Sequence, residues 1–316
     1  MRFFLLILFI FCACNKDNID KIDVSNVVVN FDVKRFDVDF YSAEEEGLQA
    51  LKREYSYFFP REITDSISLS KIGNTEEQEL FAESQNIYKD FSPVKKKLTA
   101  LFKHIKYYNP KFIAPDVVTM LTNIDYDSRV IYADSLLIIS LDVYMGKSHE
   151  FYADYPKYIK ENNTQQHLIV DVAEAIIERQ IPNSKDRSFV GKMIYEGKKM
   201  YLLDMYLPSV KDKEKIGYED DKFNWVLSNE EQIWLYFIEK KLLFSTDTKL
   251  NKRFLETAPF SKFYMEHDNL SPGSVGVWVG WQIVRSYMKH NDVSLQELLK
   301  INDLDLFKKS KYKPRK

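Results

Sequence analysis

The stretch QQHLIVDVAEAIIERQIP, residues 165–182, decides how the chain is read. Its apolar residues recur on the helical period rather than by alternation, and Pro182 closes the run. A helix this apolar belongs inside a protein. Its few polar side chains, His167, Asp171, Glu174 and Glu178, stand at offsets of four, three and four, so they share one face. Such a stripe is either the solvated face of an amphipathic helix or a set of groups gathered for a purpose.

Outward from this helix the second half reads as more helix. DRSFVGKMIYEGKKMYLLDMYLP (186–208) is another apolar helix, closed by Pro208. SNEEQIWLYFIEKKLLF (228–244) opens with Ser228 and Glu231 at capping-box spacing, and Ser294 and Glu297 repeat that spacing. The first half is mixed. VVVNFDVKRFDVDFY (27–41) nearly alternates and reads as one or two strands, with a bend near Lys34 and Arg35. Helical patterns fill 43–108, the last of them opening at Ser92-Pro93. Two β-like runs follow, DVVTMLTN (116–123) and SLLIISLDVYMG (135–146), separated by turn-rich sequence. The expected fold is α+β, mainly helical with a small sheet, either one domain over 28–316 or two lobes dividing near 110–160.

Charge is balanced at 45 basic and 47 acidic residues, and no basic stripe interleaves with aromatics outside the tail KKSKYKPRK. Nucleic acid is therefore not an expected partner, and the tail is expected to be a frayed end. With 9 glycines in 316 residues and no Gly-rich phosphate loop, nucleotide cradles are excluded.

At the other end, MRFFLLILFIFCA has one positive charge and an apolar run too short to span a bilayer, which marks 1–13 as an export signal. The run ends at Cys12-Ala13-Cys14. A small residue before a cysteine resembles the lipobox of bacterial lipoproteins, with Cys14 as the acylated, palmitate-bearing N-terminus. The other reading makes both cysteines ordinary apolar residues of the signal. Several acyl chains anchor a protein stably where one does not, so membrane attachment through Cys14 is expected, with 14–27 as a tether. No cysteine remains beyond Cys14, which excludes disulfides and thiolate chemistry in the folded part.

Three groups of residues invite chemistry. KSHEFYADYP (147–156) holds His149-Glu150, half of a zinc-binding H-E-x-x-H, but the second histidine position is Ala153. His167 and Asp171 stand at the required spacing, and Glu196 follows twenty-five residues after Asp171. This resembles the gluzincin class of zinc peptidases, whose third ligand is a glutamate on the next helix. On that alignment His167, Asp171 and Glu196 form a degenerate metal site, and Leu168 stands where the general base belongs. Leucine cannot accept a proton from a metal-bound water, so hydrolysis is expected to be lost. No cofactor is expected beyond a weakly held divalent ion. The alternative is a metallopeptidase with an unusual His/Asp/Glu ligand set, for which Glu174 is the remaining candidate base. The third group, Trp278, Trp281 and Arg285 with Gly276 and Gly280, reads as close helix packing, or as a cleft in which Arg285 faces the degenerate site.

Taken together, FKHIKYYNPKFIAPDVVT (102–119), SLLIISLDVYMG (135–146), HEFYADYPKYI (149–159), IYEGKKMYLLDMYLP (194–208) and PGSVGVWVGWQIVRSYM (272–288) resemble the gliding-motility lipoprotein GldB family of Bacteroidetes, over nearly the whole mature chain. The resemblance implies a cell-envelope lipoprotein required for gliding, a structural or assembly component of the gliding and adhesin-secretion machinery. The same stretches look distantly like gluzincin-type peptidases, which implies a zincin-like architecture without the activity.

Overall fold

A computed structural model describes residues 22–133 and 135–316. The expected signal at 1–13, Cys14 and the tether as far as residue 21 lie outside the described residues; 22–27 is irregular apart from one turn.

The two runs read as strands, rich in Val, Ile and Leu, form the middle of a four-stranded mixed sheet. β1 (Val33–Arg35), β2 (Asp116–Met120), β3 (Val130–Ala133) and β4 (Leu136–Ser140) lie in the order β1-β2-β4-β3. β1, β2 and β4 run parallel, with Lys34 opposite Val118 and Val118 opposite Ile138. Val117, Val118, Leu137 and Ile139 are wholly buried, as central parallel strands covered on both faces are. β3 returns antiparallel on β4, Val130 opposite Ile139. It occupies the stretch read as turn-rich, because only every other residue of this edge strand is half-buried and the rest face solvent.

The reading of 27–41 as extended fails in its second half. After β1 the chain turns into helix α1 (Phe36–Tyr41). The buried set is Phe36, Asp37, Phe40 and Tyr41, neighbours on a helix but on opposite faces of a strand. Asp37 fixes the choice: wholly buried, it accepts from Arg35 Nε at 3.0 Å, Arg35 Nη2 at 2.7 Å, Gln85 at 3.0 Å and the Thr119 hydroxyl.

Helices follow as α2 (Leu48–Glu54), α3 (Asp65–Ile72), α4 (Thr75–Tyr88) and α5 (Ser92–Tyr108) before the rest of the sheet. After it come α6 (Lys157–Lys160), α7 (Leu168–Gln180), α8 (Phe189–Tyr206), α9 (Asp212–Lys215), α10 (Asp220–Ser228), α11 (Glu230–Glu239), α12 (Lys249–Phe254), α13 (Val275–His290), α14 (Leu295–Lys300) and α15 (Asp303–Lys309). The fold is thus α+β and mainly helical. Buried residues from Phe36 to Leu306 belong to one hydrophobic cluster. The capping box at Ser294 and Glu297 forms. The one expected at Ser228 does not, because Ser228 is the last residue of α10 and Asn229 precedes α11.

α8 and α13 cross with their main chains touching. A Cβ on Gly280 would lie 1.8 Å from the Met193 carbonyl oxygen, and one on Gly197 would lie 2.3 Å from the Gly280 carbonyl. The packing reading of the helical glycines therefore holds for Gly280, and its partner is Gly197. The tail is not frayed. Glu230, 5% exposed, accepts from the Tyr312 hydroxyl at 2.8 Å and the Arg315 amide at 3.0 Å, while the Tyr312 ring meets Trp234 edge-on at 5.3 Å. Among the described residues no helix is long and apolar enough to cross a membrane.

Candidate functional site

His167 stands at the start of α7, its amide bonded to the Thr164 carbonyl, so its ring is set by the turn that launches the helix. The side chain is buried, with Nε2 3.5 Å from Asp171 Oδ1 and Nδ1 3.4 Å from Glu214 Oε1 on α9. Neither approach replaces a well-aligned hydrogen bond: Nδ1 and Asp171 Oδ1 have no hydrogen-bond partner. Burial disfavours the protonated ring, but Asp171, Glu214 and Glu174 together outweigh it and raise the His167 pKa above its ordinary value.

Asp171, one turn on, is claimed from the sheet side. Its Oδ2 accepts from the Tyr144 hydroxyl at 2.7 Å, and its Oδ1 is 3.2 Å from Arg129 Nη2. The Arg129 guanidinium in turn lies 4.3 Å over the Tyr126 ring. The i, i+4 pair was readable from the sequence. Arg129, Tyr144 and Glu214 were not, since they come from loops and a short helix that carry no periodic signal.

Glu196 on α8 is engaged elsewhere. Its carboxylate is 3.2 Å from Lys199 Nζ, which also donates to Glu178 Oε1 at 2.6 Å. His167, Glu178 and Glu196, together with Glu174, line one cavity of about 270 Å3, whereas Asp171 is not among its lining residues. The structure thus brings His167 to Asp171 and brings Glu196 to Glu178 and Lys199. Among the described residues no group of three or more His, Cys, Asp or Glu side chains is arranged to hold a metal ion. Leu168, at the position of the base, is 1% exposed and belongs to the core. His149-Glu150 lies at a single 3-10 turn, Glu150–Tyr152, with His149 Nε2 3.5 Å from Glu83.

Trp278, Trp281 and Arg285 line or underlie a different place. Trp281 Nε1 donates to Asp204 Oδ2 at 2.8 Å, and Trp278 Nε1 to Glu230 Oε2 at 3.1 Å. Arg285 grips Asp204 with two bonds of 2.7 Å and Asp212 with bonds of 2.7 and 2.9 Å, its guanidinium 3.9 Å over Trp281. Lys215 adds a third cation contact to Asp204 at 2.8 Å. Arg285 and Trp278 line a second, wider groove of about 1580 Å3, not the cavity beside His167. The two regions meet at α9, where Glu214 faces His167 and Lys215 faces Asp204. One sequence signal for this network was available: Asp204 is a lone carboxylate inside the apolar run YLLDMYL, which a buried charge needs a partner to explain.

A search of curated proteins returned no match, and neither did a search of solved structures. A family model, described as gliding motility protein GldB, matches residues 17–314, so that the cavity, the Asp204 network and the sheet all fall within it; the chain belongs to the GldB family of gliding motility proteins.

Proposed function

We propose that the protein is a non-catalytic, lipid-anchored structural or assembly component of the gliding and adhesin-secretion machinery. Cys14 carries the lipid after removal of residues 1–13, and the cavity beside His167 holds a segment of a partner. The zincin-like layout inferred from the sequence then serves as a scaffold rather than an enzyme.

The observation that supports this most is how the polar groups around His167 are used. Asp171 receives a positive charge from Arg129 and a hydrogen bond from Tyr144, and Glu196 is tied to Lys199. Protein cations already supply what a divalent ion would bring. A metal on His167, Asp171 and Glu196 would require both Arg129 and Lys199 to withdraw, so the residues do not fit such an ion and no hydrolytic step is derived from them.

In cells lacking the native copy, the full chain restores gliding and Cys14→Ser does not, the latter being recovered from the soluble fraction. Elemental analysis of the purified full chain finds no stoichiometric divalent ion. Chelator-sensitive peptide cleavage that Asp171→Ala abolishes would overturn the reading.

A further inference from the structure

The cavity between α7 and α8 has one carboxylate that no protein cation among the described residues reaches at hydrogen-bond or ion-pair distance; His167 and Arg129 act on Glu174 only through longer-range charge. Arg129 faces Asp171, and Lys215 faces Asp204. Glu161 pairs with Lys147, and Glu219 with Lys157 at 2.8 Å. Lys222 spends its ammonium on the carbonyl oxygens of Asn269 and Ser271 at 2.6 and 2.8 Å. Lys199 is shared by two carboxylates, Glu178 and Glu196. That leaves Glu174, one turn before Glu178 on the same face of α7, lining the cavity with no hydrogen bond or ion pair among the described residues. His167, 4% exposed, lines the same cavity and leaves Nδ1 without a hydrogen bond.

A carboxylate drawn partly out of water is costly unless paired, and the mixed lining of the cavity decides what could pair with it. Ile177, Met200 and Val277 offer apolar wall beside the carboxylates. A volume of about 270 Å3 is below the roughly 300–1,000 Å3 that holds a drug-sized ligand. One long side chain with an apolar stem and a cationic head matches both the volume and the chemistry.

We propose that this cavity receives a lysine or arginine side chain presented by a partner polypeptide, with Glu174 as its counter-ion and the Glu178–Lys199–Glu196 cluster setting the field around it. This deepens the reading of the cavity as a non-catalytic partner site and rests on it.

The test titrates the purified full chain, in detergent, with acetyl-Ala-Lys-Ala-amide, its arginine counterpart, the same peptide with acetylated lysine, and putrescine, following affinity by calorimetry and peptide integrity by mass spectrometry. The lysine and arginine peptides should bind and be recovered intact. Acetylation of the lysine, or Glu174→Gln in the protein, should weaken binding about tenfold or more, the scale of one charge-assisted contact. Glu174→Gln preserves shape, and an unchanged circular dichroism spectrum shows that the fold is kept. Equal affinity of Glu174→Gln and wild type, no binding of either cationic peptide, or putrescine binding as tightly as the peptide would each overturn the proposal. Glu174-dependent binding followed by cleavage would uphold the proposal while sinking the non-catalytic reading, so the two fail separately.

Discussion

Asp204 is wholly buried on α8 and accepts from Lys215, Arg285 and Trp281 together. Removing it strands a buried ammonium and half of a guanidinium's contacts, since Asp212 still holds Arg285 but stands 3.9 Å from Lys215. Breaking a buried ion pair from one side costs about 3–5 kcal/mol, and urea unfolding of Asp204→Ala should show a loss on that scale. Glu174 is the opposite case. Burial, then the neighbouring Asp171 carboxylate, push its pKa from 4.5 up to about 7. The folded state therefore binds this proton more tightly than the unfolded chain does. Its contribution to stability is fully present below pH 4.5 and is lost as the pH rises through 7. Gln carries no charge at any pH. Glu174→Gln should match wild type near pH 4 and exceed it by about 1–3 kcal/mol at pH 8. Asp142, raised to about 6 by its burial, titrates in both proteins and cancels from the difference. Identical pH–stability curves for the two proteins would refute the assignment. The sequence showed the His167–Asp171–Glu174–Glu178 stripe because helical spacing is local. It did not show that Asp171 is bound inward by Arg129 and Tyr144 while Glu174 is left without a hydrogen bond or close ion pair among the described residues, because those partners arrive through tertiary contact.

Elements with a long, uninterrupted period were legible, and short ones were not. α5, α7, α8 and α13 each run for thirteen residues or more, enough for apolar spacing to distinguish a helix from a strand. α1 is six residues and β3 is four, so either period fits. In α1 the choice was made by Asp37 and the partners it reaches across the sheet. The crossing of α8 on α13 was half visible: Gly280 signalled a close approach, but its partner Gly197, eighty-three positions away, could be named only from the fold. Because main chains meet there, no rotamer change relieves an added methyl. Gly280→Ala should destabilise by about 1–3 kcal/mol or more, the cost of overpacking a tight core. Gly47→Ala is the control, since its φ is −79° and an added Cβ there meets nothing within 4 Å. It should be neutral or gain up to about 1 kcal/mol. Comparable losses for both in thermal melts would mean that α8 and α13 are not in backbone contact.

At the scale of the whole molecule, the C-terminal segment is fastened to the body through Glu230. That carboxylate joins three elements, since Trp278 on α13 donates to one oxygen and Tyr312 and the Arg315 amide to the other. The tail's run of Lys and Arg suggested a solvated end, and composition misled because the anchoring was done by one aromatic residue and one backbone amide, neither of which a charge count registers. Five of the last nine side chains are lysines, so trypsin tests the arrangement directly. With Tyr312 held against Trp234 and Glu230, cleavage after Lys311 requires the tail to lift first, and should be slow relative to cleavage of the same sequence as a free peptide, Lys313 being protected in both by the following Pro314. Deleting 311–316 leaves Glu230 with the Trp278 donor alone and uncovers Trp234. A buried acceptor that loses its partners costs about 1–3 kcal/mol, more for a charged one, and the truncated protein should unfold correspondingly earlier in urea. Tyr312→Phe separates the hydroxyl from the ring: it keeps the edge-on contact with Trp234, gives up one hydrogen bond to a carboxylate, and should fall between wild type and the truncation. If the tail is trimmed at the free-peptide rate while the body keeps its full stability, Glu230 is not its anchor.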